Sequence, residues 1–223
     1  MNFWKLLAAG VLAATLVLPS TADAKRKKKS DDSETTEAVE IEDCGVAEFD
    51  TVFGQARDIH TTLSDAQAKL AEANTNIASA LGLDPGASLD DALGKLKELG
   101  GDAISMTMDG TKPTLSAGDA APEEVTAAIE AVNTAVGLVL EAAAGLSELP
   151  AQSQELVTTA KALPGQLNPD ILASNGLAAK DLLGVTKTVK SNVKSIGTTP
   201  DRVTAVTGEL TAFVDTVKGT FGG

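Results

Sequence analysis

Two side chains that commonly perform chemistry, His60 and Cys44, each occur once in this chain of 223 residues. Nucleophilic catalysis needs a nucleophile, a base and an orienting group close together, and a structural zinc site needs four cysteine or histidine ligands. One histidine and one cysteine cannot supply either set, and the sequence has no phosphate-binding, dinucleotide-binding or Gly-x-Ser-x-Gly motif. We therefore expect a protein that is not an enzyme and that holds no metal and no cofactor.

The unpaired cysteine has two interpretations. Because Cys44 is single, it cannot form an internal disulfide, so it is either an inert thiol or a link between two chains. No basic residue that would activate the thiol lies near it in the sequence, which favours the inert thiol. His60 flanks the apolar stripe of a predicted helix, where a packed side chain is expected more often than a catalytic base.

The N-terminal residues have the pattern of a cleavable export signal. Lys5 precedes an apolar run over residues 6–18, and Ala22, Asp23 and Ala24 form the small-x-small pattern that signal peptidases cleave, here before Lys25. Thirteen residues at ~1.5 Å each cover about 20 Å, which is short of the ~30 Å hydrocarbon layer of a membrane. We expect residues 1–24 to be a cleavable signal peptide and the protein to be periplasmic or secreted.

The residues after this motif are basic and then acidic. Residues 25–29 are all lysine or arginine, and seven acidic residues follow before Cys44. The basic run opposes export and leaves an uncleaved anchor as the alternative. It could also touch anionic lipid as a peripheral arm, although the acidic neighbours compete for the same charges. Because apolar residues are few here, we expect residues 25–45 to be disordered.

The rest of the chain is strongly acidic. From Ser30 onward, 12 lysines and arginines face 30 aspartates and glutamates, a net charge of −18. Such a surface repels phosphate backbones, so we expect no nucleic acid among its partners.

The best structural signal is a stripe of ten apolar residues at alternating spacings of three and four. It runs through Phe49, Val52, Ala56, Ile59, Leu63, Ala66, Leu70, Ala73, Ile77 and Ala80. This pattern predicts one long helix over residues 46–81 with a buried seam. The flanking positions lack the paired Glu and Lys of a coiled-coil dimer, so partner helices from the same chain are favoured and the protein is expected to be a monomer or a weak oligomer.

Four further segments have helical periodicity, at residues 122–148, 151–163, 180–196 and 201–221, and a shorter helix is predicted at 89–99. Around Asp109-Gly110, residues 104–115 alternate as a β-hairpin that pairs Ile104 with Leu115 and Met106 with Pro113. We therefore predict an all-α domain over residues 46–223, an elongated antiparallel bundle of about five helices with a small hairpin insert.

Two surfaces are candidates for binding. Ile104, Met106, Met108 and Leu115 give the hairpin an apolar face, which either contacts a partner or apolar ligand or closes one end of the bundle. Lys180, Lys187, Lys190 and Lys194 form a row on one helix, which either meets an anionic surface or is a solvated face paired to nearby carboxylates.

Together these features predict an exported, non-enzymatic binding or scaffold protein of the bacterial cell envelope with a protein partner. The absence of an Asn-x-Ser/Thr sequon is compatible with that compartment. The alternative is a carrier of lipid or another apolar ligand, in which amphipathic helices open around acyl chains.

Overall fold

The computed structural model describes residues 40–119 and 121–222. The predicted signal peptide, its cleavage site at Ala22, Ala24 and Lys25, and residues 25–39 of the predicted disordered segment lie outside the described residues.

The predicted fold class is confirmed: the described chain is a helical bundle with one β-hairpin. The helices are α1 (Ala47–Ala80), α2 (Leu89–Gly100), α3 (Glu123–Gly145), α4 (Leu149–Gln166), α5 (Pro169–Ser174), α6 (Leu182–Ile196) and α7 (Thr199–Phe221). The hairpin strands are β1 (Ile104–Asp109) and β2 (Lys112–Ala117). Five of the helices have 15 residues or more, and α2 and α5 are shorter.

Helix α1 is the longest helix of the described chain and packs against five other helices of the bundle. Its 34 residues extend about 51 Å at 1.5 Å per residue, and it contacts α2, α3, α4, α6 and α7. The predicted seam is buried apart from Leu70 and Ala80, which are partly buried against the core. Phe53, which the heptad pattern placed on a flank, is fully buried as well. Because helices surround α1 on several sides, its buried arc is wider than a two-position seam.

Helix α3 has the apolar composition of a buried helix. It packs on α1, β2 and α7, and its buried residues include Val125, Val132, Val136 and Val139. By length and composition alone, the helical stretch Glu123–Gln166 contains a window apolar enough to cross a membrane. Because the apolar side of α3 is buried against other helices, we interpret it as a core helix.

The predicted hairpin is present, but its predicted register is wrong by two residues. Ile104 pairs with Ala117 and Met106 with Leu115, so that the loop is Gly110-Thr111 and not Asp109-Gly110. Gly110 has a φ of +58°, which suits the first central position of a tight hairpin turn and which other residues adopt reluctantly. A shift of two residues leaves every side chain on its predicted face, because side chains alternate with a period of two.

The folded part begins before the predicted boundary at residue 45. In residues 40–46, which we call the N-terminal strap, Ile41, Cys44 and Val46 are buried in the core. Asn192 of α6, itself 2% exposed, holds the strap through both atoms of its amide: Oδ1 accepts from the Glu42 N–H at 3.3 Å and Nδ2 donates to the Glu42 carbonyl at 2.6 Å. The acidic composition of residues 40–45 led to a prediction of disorder, although Ile41 and Cys44 are buried.

Three prolines lie inside helices whose predicted ends excluded them: Pro150 and Pro164 in α4, and Pro200 in α7. Pro164 lies inside α4, which continues to Gln166 instead of ending at residue 163. At the start of α7, the hydroxyl of Thr199 does not cap the helix, because it contacts His60 of α1 instead. Asn168 caps the short helix α5, accepting hydrogen bonds from the N–H groups of Asp170 and Ile171.

Candidate functional site

His60 is a half-buried side chain that joins two helices. Its Nε2 lies 3.0 Å from Oγ1 of Thr199, which is fully buried at the start of α7. Burial lowers the pKa of His60, and the positive charge of Arg202 lowers it further, because both disfavour the imidazolium ion. This environment favours the neutral ring, as suits a packing residue that bridges α1 and α7.

Cys44 is a buried thiol in the strap. Its backbone N–H donates to Oδ1 of Asp50 at 2.6 Å, and burial raises the pKa of the thiol to about 11. Very little thiolate forms at neutral pH under those conditions, and the thiolate is the reactive species. The geometry favours the inert thiol over the link between two chains.

The described residues contain no group of three or more His, Cys, Asp or Glu side chains arranged to hold a metal ion.

The hairpin places most of its predicted apolar contact face against the bundle. Ile104 packs on Gly100, where any side chain would collide with it, and Met106 lies beside Gly222 after the end of α7. Leu115 is 2% exposed, while Met108 is 46% exposed. Three of the four predicted contact residues therefore help to close the bundle, and Met108 remains accessible.

An asparagine also fixes the hairpin to α3. Asn133 accepts from the Leu115 N–H at 2.8 Å and donates to the Leu115 carbonyl at 2.9 Å, so that its amide substitutes for a neighbouring strand. The hairpin is thus attached through both the backbone and the apolar face of β2, and we do not expect it to open easily.

The lysine row is exposed to solvent. Lys187, Lys190 and Lys194 project from α6, and Lys180 lies in the turn that precedes it. The ion pairs that the described residues form join Arg57 to Asp43, Lys69 to Glu141 and Lys218 to Asp215, so that none neutralises a lysine of this row.

A second surface feature, which the sequence did not predict, is a groove of about 450 Å³ between α1 and α4. Three apolar side chains that are at most 7% exposed line its base: Ile59, Leu149 and Leu156. Six polar side chains line its sides: Gln55, Asp58 and Thr62 from α1, and Gln152, Glu155 and Thr159 from α4. No lysine or arginine within residues 40–119 and 121–222 forms an ion pair with either carboxylate of the groove.

The groove lies between two helices whose lining residues have the same spacing. Residues 55, 58, 59 and 62 lie on one face of α1, and residues 152, 155, 156 and 159 repeat that spacing on α4. Each pattern alone is typical of the polar border of an amphipathic helix. Only the pairing of α1 with α4 brings the two borders together, so the sequence carried no signal specific to the groove.

Comparison with family models, with curated proteins and with solved structures found no match to this chain.

Proposed function

We propose that this protein is an exported, non-enzymatic helical module of the bacterial cell envelope, and that it binds a protein partner in the groove between α1 and α4. The observation that carries the proposal is the lining of the groove: carboxylates without an ion pair and side-chain amides above an apolar base.

The chemistry of the lining specifies the partner segment. Asp58 and Glu155 attract lysine or arginine, and the buried base formed by Ile59 and Leu156 accepts an apolar side chain. A basic amphipathic helix presents both kinds of side chain at helical spacing, and helices commonly bind in grooves of this type. Because exposed ion pairs contribute only ~0.2–1 kcal/mol each, the carboxylates mainly set specificity and association rate.

Site-specific photo-cross-linking in intact cells tests this proposal. A photoreactive residue at Gln152, inside the groove, should give discrete adducts with one protein, whereas the same residue at Thr204, exposed on α7, should give none. The charge-reversal variant Asp58→Lys/Glu155→Lys should abolish the adducts, because the groove would then repel a basic segment.

The matched control reverses two exposed acidic residues on helices that do not line the groove, Glu98→Lys on α2 and Glu209→Lys on α7, and should leave the adducts unchanged. Equal adducts from residues 152 and 204, or adducts that survive reversal in the groove, would show that the partner binds another surface. The adduct protein, once identified by mass spectrometry, should bind the purified chain with an affinity that falls as salt rises.

The alternative function, carriage of an apolar ligand, has less support. The apolar seams of the long helices are buried, and the hairpin is held to α3 by Asn133. A lipid would have to separate helices that now pack on each other. Native mass spectrometry of the purified protein should therefore give the mass of the bare chain, and a co-purified lipid would favour carriage.

A further inference from the structure

We propose that the exposed face of α6 binds the surface of a bilayer rich in anionic phospholipids, with Leu183 inserted between the headgroups. Leu183 is 83% exposed, more than the other exposed large apolar residues of the described chain, Leu99 at 41% and Met108 at 46%. This surface is separate from the groove between α1 and α4, and the proposal does not depend on the protein partner.

The geometry of α6 places Leu183 within the lysine row. At about 100° per residue, Leu183, Lys187, Lys190 and Lys194 lie within an arc of about 60°. The distance along the helix from Leu183 to Lys194 is about 17 Å, at 1.5 Å per residue. The opposite side of α6 is buried in the bundle through Val185, Val189, Asn192 and Ile196, which fixes the orientation of the exposed side.

The charge of this face is unusual for the chain. From Ser30 onward the net charge is −18, yet residues 182–196 contain three lysines and no acidic residue. Asp181, the nearest carboxylate in the sequence, accepts a hydrogen bond from the Ala178 N–H at 3.0 Å and so is directed back to the backbone. Because exposed charges are screened beyond about 10 Å at 0.1 M salt, this face is locally basic on an acidic protein.

A lipid surface fits this combination better than a protein partner does. Protein interfaces are depleted in lysine, since burying the ammonium group costs desolvation energy. At a bilayer surface, lysine stems lie along the apolar boundary while the ammonium groups contact phosphate, and a leucine between them inserts at little cost. Each lysine near an anionic leaflet strengthens binding about fivefold.

Tryptophan fluorescence at position 183 tests the proposal in the full chain. In a Trp4→Phe background, Leu183→Trp gives a single tryptophan on this face. With vesicles of phosphatidylglycerol and phosphatidylethanolamine, its emission should shift to shorter wavelength, and brominated acyl chains should quench it. Vesicles of phosphatidylcholine alone should produce neither effect. Leu99→Trp in the same background is the matched control, an exposed leucine on α2, and should not be quenched.

A second experiment measures how binding to anionic vesicles depends on the lysines of α6. When Lys187→Gln/Lys190→Gln/Lys194→Gln is added to the Trp4→Phe/Leu183→Trp protein, the anionic lipid concentration needed for half-maximal shift should rise roughly a hundredfold. Lys112→Gln/Lys161→Gln/Lys218→Gln removes the same charge elsewhere and should change it little. Far-UV circular dichroism checks that each variant is folded. An introduced tryptophan that anionic vesicles neither shift nor quench, or a response that survives loss of the three α6 lysines, would overturn the proposal.

Discussion

At the scale of single residues, the neutral histidine between α1 and α7 makes stability depend on pH. In the folded protein, burial and Arg202 lower the pKa of His60 below its ordinary value of 6.5. As the pH falls below 6.5, the imidazole of the unfolded chain therefore binds a proton before that of the folded protein does. Stability from this residue is therefore fully present above pH 6.5 and is lost as the pH falls from 6.5 through the lower folded pKa.

We predict that urea denaturation will show wild-type protein less stable at about pH 5.5 than at about pH 7.5, and that His60→Gln will remove most of that difference. Each tenfold difference in proton affinity between the folded and unfolded states corresponds to about 1.4 kcal/mol. His60 is the only histidine in the chain, so few other side chains titrate in this interval. Equal pH dependence in both proteins would contradict this role for the imidazole.

Local residue patterns predicted some hydrogen bonds and missed others for a clear physical reason. Ser88 caps α2, and its spacing of three residues from Asp91 is a local pattern that favours this cap, because both groups belong to one helical turn. The hydroxyl of Thr199 bonds instead with His60, a residue 139 positions away. Short sequence patterns describe neighbours along the chain and contain no information about such distant contacts.

At the scale of elements, hydrophobic periodicity predicted the long helices because each buries one continuous face. The hairpin was predicted with correct faces and a wrong register, since Asp109-Gly110 and Gly110-Thr111 are both plausible loops and the two choices leave the apolar face unchanged. The N-terminal strap was missed because only Ile41 and Cys44 are apolar in the part of it that charge patterning classed as disordered.

Mutation tests directly whether the buried residues of the N-terminal strap stabilise the fold. We predict that Ile41→Ala lowers the free energy of unfolding by about 2 kcal/mol, because Ile41 is 6% exposed and its truncation leaves a cavity against the core. Glu40→Ala, one residue earlier and exposed, should change it by less than about 0.5 kcal/mol. Urea denaturation measures both. If neither substitution changed the free energy of unfolding, the account of residues 40–46 as a stabilising strap would be wrong.

Contacts around Arg57 should strengthen this attachment. Its Nη1 donates to the carbonyl of Ile41 at 3.2 Å and lies 2.7 Å from Oδ1 of Asp43. Both partners are partly exposed, so the ion pair itself contributes modestly and the buried side chains account for most of the stabilisation.

At the scale of the whole molecule, two surfaces of opposite charge lie on different helices of an acidic protein. The groove between α1 and α4 carries carboxylates, and the exposed face of α6 carries lysines. Composition predicted the overall acidity and the lysine row, because both can be counted along the chain. The groove could not be predicted, because it exists only where two particular helices meet.

The proposed partner contact requires the protein to leave the cytoplasm, which makes export the central claim. The signal motif ends at Ala24, and the five basic residues that follow it are the strongest sequence argument against translocation. Partner binding in the groove and lipid binding by α6 remain distinguishable, since Asp58→Lys/Glu155→Lys alters only the first and loss of the α6 lysines only the second.

The most direct measurement is the intact mass of the protein recovered from fractionated cells of the native organism. Export with cleavage predicts a chain that begins at Lys25 and co-fractionates with envelope markers, and replacement of Ala22 and Ala24 by leucine should leave the full-length precursor. Full-length wild-type chain found with cytosolic markers would contradict export and, with it, the proposed function.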